Sequence, residues 1–168
     1  MAILEKIVAV TGRAVAWLTL AMVALTFAVV VLRYGFNLGW IWLQESVTYM
    51  HGFVFMLAAA WTLQEDGHVR VDIFYRDRSP KYRAMVNLAG TFLFLLPVCI
   101  FMIVIGWEYV FSSWKLLEGS REAGGLPLVY LLKSMIILLP ALLLMQAVPG
   151  VFKSLELMKA GPDLQSEG

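Results

Sequence analysis

Four stretches of the chain run without a charged side chain: Ala14 to Leu32, Ser46 to Gln64, Ala84 to Trp107 and Ser134 to Phe152. Each is close to the roughly 20 residues that carry a helix across a bilayer core. Inside lipid every backbone amide and carbonyl must be satisfied by the protein itself, and four spans are too few to close a barrel of about 8 strands. The pattern therefore predicts an all-α membrane protein of four transmembrane helices. The spans fall at about 14–32, 46–64, 84–107 and 128–152 of one integral membrane domain covering 1–168.

Composition strengthens this reading. Of 168 residues, 61% are hydrophobic and 15% charged, with a mean hydropathy of +0.79. A soluble domain of this size buries only about 70% of its unfolded surface, so lipid must cover much of the remainder. The net charge of +1 comes without any basic block, which argues against a nucleic-acid partner. Nine lysines and arginines lie beside the termini and the 65–83 loop, against Arg33, Lys115, Arg121 and Lys133 on the opposite side. The positive-inside rule then predicts both termini in the cytoplasm.

Ala14 to Leu32 ends at Arg33-Tyr34 with no small-residue cleavage site, so a retained helix is expected rather than a cleaved leader. Before it, Ile3-Leu4 and Ile7-Val8 repeat at helical spacing, as a surface-lying helix or as an extension of the first span. Ser79-Pro80 reads as a start signal for the third span, because serine caps free amides and proline fits the first turn. Pro97, Pro140 and Pro149 fall within spans three and four, where they release backbone carbonyls. Cys99, the lone cysteine, excludes an intrachain disulfide and reads as a small buried hydrophobe.

Few residues carry candidate chemistry. Glu45, at the start of span two, suits a structural or subunit-contact role first, with transport coupling or plain interfacial solvation as alternatives, and Arg33 is its nearest cationic partner across the short loop. Gln44, Thr48 and His51 share one helix face, with Glu45, Tyr49 and Gly52 beside them, and packing within the subunit is the simplest account of both stripes. His51 reads as a hydrogen-bonded packing residue before a proton relay. His68 lies 17 positions away, about 25 Å along a helix, so the two histidines cannot share a metal or haem. The alternation of His68, Arg70 and Asp72 with Val69 and Val71 predicts a short extended anchor at the membrane surface. No phosphate loop, nucleophile with its base, or metal-ligand cluster occurs, so neither an enzyme nor a cofactor is expected.

Three segments in order, Arg33-Tyr34-x-Phe36-Asn37, Trp42-x-x-Glu45 and His68-Val69-Arg70-Val71-Asp72, resemble the small DctQ-like membrane subunit of tripartite ATP-independent periplasmic (TRAP) transporters over almost the whole chain. One departure stands out: that family commonly has two adjacent glutamates after the tryptophan, and here Gln44 precedes Glu45. The resemblance implies a bacterial inner-membrane scaffold, without catalysis, in sodium-driven uptake of an organic acid. Its implied partners are a large DctM-like membrane subunit and a periplasmic binding protein. Arg33, Trp42, Glu45, His68, Arg70 and Asp72 become the candidates for subunit contact or membrane anchoring. The competing expectation is a self-sufficient small transporter acting as a homodimer.

Overall fold

Because acyl chains are as apolar as leucine, burial of apolar surface alone does not drive these helices together; close backbone approach and polar ties must. The computed structural model describes residues 2–68, 75 and 78–159. Among the described residues five α-helices and one π-turn appear in order: α1 (Ala2–Gly35), α2 (Ile41–Gln64), α3 (Pro80–Gly90), a π-turn (Thr91–Leu95) leading into α4 (Leu96–Leu116), and α5 (Val129–Lys159). With α3 and α4 forming one continuous span, four helices among the described residues are long and apolar enough to cross a membrane, in agreement with the hydropathy pattern.

The helices outrun the uncharged stretches. Residues 3–12 continue straight into α1 rather than lying apart on the surface, because Val8 packs against Ala60 of α2 and Leu142 of α5 in the buried core. Ser79 caps α3 as expected, its hydroxyl accepting from the Tyr82 amide at 3.3 Å, with Pro80 in the first turn. Pro97 has no amide hydrogen and its ring crowds the preceding turn; the widened Thr91–Leu95 turn, in which the Leu96 amide reaches back to Thr91, absorbs that misfit. Cys99 is buried, as its apolar setting predicts.

α5 is the hub, packing on every other helix, while α1 leans mainly on α2 and α4 on α5. Two glycines set these distances. A Cβ at Gly12 would overlap the Trp61 ring, and one at Gly106 would lie 2.8 Å from Ile136 Cγ2. Small residues at such crossings let helix backbones approach where lipid gives no hydrophobic push.

Candidate functional site

The 117–128 connection meets the start of α2 at the distal end of the bundle, where α1 gives way to α2. α1 ends there at Gly35, and Asn37 just beyond it adopts a left-handed φ of 57° that asparagine tolerates better than most residues, while the Leu38 amide closes back on the Leu32 carbonyl at 2.9 Å. Leu117, also left-handed at φ 45°, ends α4 in a Schellman turn with the Glu118 amide on the Ser113 carbonyl at 3.1 Å. The chain then loops across to α2.

At the start of α2 the amides have no helical partner and the helix dipole is positive. Trp40, in the capping position, supplies no side-chain bond. Instead the 117–128 loop does the capping from a distance: the Trp42 amide donates to the Gly124 carbonyl at 3.1 Å. One turn on, the Glu45 carboxylate accepts from the Leu126 amide at 2.6 Å and from the Ser120 hydroxyl. Gly125 must lack a side chain because a Cβ there would sit 2.8 Å from Glu45 Oε2 and overlap Ser120, and Gly124 turns the chain with φ +79°. Glu45 is therefore a latch between span two and a loop 81 positions away.

A second tie stands beside it. Lys133 of α5 bonds Glu118 at 2.5 Å and lies 4.0 Å over the Tyr109 ring, while Ser113 donates to the same Glu118 oxygen at 2.7 Å. These hydrogen bonds hold the Glu118 carboxyl below the usual carboxylate range. The Trp114 indole donates to Ser134 at 2.8 Å and meets Tyr130 edge-on at 4.7 Å. Lys133 and Glu118 carry this tie unheralded in sequence; a lone lysine opening an otherwise uncharged run, with a glutamate across the loop, is the signal that marks them.

The expected Arg33–Glu45 pair does not form. Arg33 is exposed in the last turn of α1, where its charge suits the negative helix end, and among the described residues its side chain has no hydrogen bond or ion pair. Nearness in sequence misled because the Leu126 amide and Ser120 hydroxyl of the 117–128 loop occupy the Glu45 carboxylate. Trp42 is half exposed beside the latch. His68 is exposed just beyond α2; Arg70 and Asp72, with the predicted extended segment around them, lie outside the described residues.

The two stripes of α2 also part company. Tyr49 is buried, and Gly52 is partly buried with a Cβ position 3.1 Å from Leu132 of α5. Gln44, Thr48 and His51 point outward and are exposed, contrary to the expectation that both stripes pack within the subunit. His51 is not hydrogen-bonded: among the described residues its ring only stacks on Phe55, with centroids 6.5 Å apart. Tyr49 and Gly52 take up the space against α5, so the neighbouring stripe, rotated by about 100°, must turn away from it.

Apolar helices of membrane-crossing length, joined by polar ties at one end, define a multi-pass integral membrane protein. More narrowly, the chain belongs to the family described as "Tripartite ATP-independent periplasmic transporters, DctQ component", whose model matches residues 22–156. It is thus an inner-membrane transporter component and not an enzyme. A C4-dicarboxylate TRAP transporter small permease protein, DctQ of Vibrio cholerae serotype O1, is 27% identical over 89 residues, which cover 53% of this chain and 38% of that relative. The match thus spans well under half the length of that curated relative. No solved structure matches the chain.

Proposed function

We propose that this chain is the small permease subunit of a TRAP-type secondary transporter, a non-catalytic frame for a large DctM-like membrane subunit. That partner would carry out sodium-driven uptake of an organic acid delivered by a periplasmic binding protein. The C4-dicarboxylate named for the Vibrio cholerae relative is such an acid.

The observation that carries the scaffold reading is the latch at the distal end. Spans of 33, 24, 37 and 31 residues are about 36 to 55 Å long, against a hydrocarbon core of about 30 Å. The longer ones must tilt or project. Glu45 and the Glu118–Lys133 pair tie the last three of them together and α1 packs along α2, so they make a fixed body, and a carrier that moves through the bilayer needs one to move against. The excess of basic residues beside the termini supports a cytoplasmic placement of both ends, with the latch in the periplasm. In that orientation Arg33, Trp42 and Glu45 work at the periplasmic face, and His68, Arg70 and Asp72 anchor the cytoplasmic one.

Reconstitution tests this directly. With a sodium gradient across proteoliposomes, uptake is expected only when the large subunit and the binding protein accompany this chain. Uptake by this chain alone would overturn the reading in favour of a small homodimeric transporter.

A further inference from the structure

Among the described residues, an open groove of about 480 Å³ runs between α1 and α2, lined by Met22, Val23, Thr26, Val47, Thr48 and His51. His51 is the eleventh residue of α2, so it stands about 15 Å from that helix's distal end, close to the middle of a hydrocarbon core about 30 Å thick. Its imidazole is exposed there and has no hydrogen-bond partner among the described residues. A polar ring left unpaired among acyl chains is costly, because nothing there replaces the hydrogen bonds that water would give it. Residues of this kind inside a membrane ordinarily face protein.

The neighbouring hydroxyls differ from it. Thr26 donates to the Met22 carbonyl at 2.7 Å and Thr48 reaches the Gln44 carbonyl at 3.5 Å, so both are served by their own helices and leave acceptor lone pairs toward the groove. Gln44 extends the polar line toward the distal end. The exposed face of α4 offers a contrast: Phe101, Val104 and Ile105 there are wholly apolar and suit lipid.

Resting on the scaffold reading above, we propose that the α1/α2 groove is the seat of one transmembrane helix of the large subunit. That helix carries a hydroxyl or carboxamide side chain at mid-depth, opposite His51. A neutral imidazole offers one donor and one acceptor, and those two groups can answer both. The groove is thus the stationary contact through which the frame holds its partner, and the polar stripe sets the depth at which the two dock.

The test uses the chain co-expressed and purified with the large subunit. A photo-crosslinking residue is placed at Val23 or Phe55 beside the groove, or at Phe101 on α4. Adducts with the large subunit are expected from Val23 and Phe55 and not from Phe101. His51→Ala should lower the large subunit retained through purification about tenfold, as loss of an interhelical hydrogen bond implies, and His51→Gln should recover most of it. Adducts from Phe101 alone, adducts joining two copies of this chain through the groove, or full retention in His51→Ala would overturn the proposal while leaving the scaffold reading in place. Failure of the unmodified chain to retain the large subunit would sink the scaffold reading first, and this inference with it.

Discussion

Two stripes on the same helix, about 100° apart, have opposite fates. Glu45, Tyr49 and Gly52 turn inward and are met by the 117–128 loop and by α5; Gln44, Thr48 and His51 turn outward and are exposed, with Thr48 and His51 on the open groove beside α1. Both stripes hold polar side chains at the same spacing. What separates them is whether the fold supplies partners. Where it does, as at Glu45, a charged group becomes a structural tie; where it does not, as at His51, a polar group at mid-depth becomes a demand on something outside the chain.

The strongest way to break the comparison is to empty the inward stripe. Glu45→Ala should destabilise the isolated subunit by about 2–4 kcal/mol, since the Leu126 amide and Ser120 hydroxyl lose a charged acceptor. Thermal unfolding in detergent, with proteolysis of the 117–128 loop, measures it. Gly125→Ala attacks the same contact from the loop side, where the new methyl would collide with the latch; a loss of about 1–3 kcal/mol is expected by the same assay.

Acid should loosen the second tie. The Glu118 carboxyl has its folded-state pKa depressed by Lys133 and Ser113, so its contribution is present above the ordinary carboxylate pKa and disappears as pH falls through the folded value. Unfolding temperature should therefore drop below about pH 4. Lys133→Met should flatten that part of the profile. The smallest effect belongs to the outward stripe, where His51→Ala should change the stability of the isolated subunit by no more than about 0.5 kcal/mol.

Much of this was legible from residue order. Hydropathy located the spans, Ser79-Pro80 marked the start of α3, and helical spacing separated the two stripes of α2. Which stripe faced inward was not legible, because both offer polar groups at equal intervals and only tertiary packing breaks the tie. Nor could the partner of Glu45 be read: a backbone amide 81 positions away is chemically the same at any residue, whereas Arg33 looked suitable by charge and nearness. The π-turn before Pro97 escaped for a related reason, since the sequence shows a proline but not which way the helix makes room for it.

The division between the stripes is tested most directly by measuring two quantities on the same pair of variants. Thermal stability of the isolated subunit and retention of the large subunit are compared in Glu45→Ala and His51→Ala. The account predicts that Glu45→Ala lowers the unfolding temperature, whereas His51→Ala leaves it unchanged and still loses the large subunit about tenfold. Equal destabilisation by both substitutions, with the large subunit fully retained in His51→Ala, would contradict it.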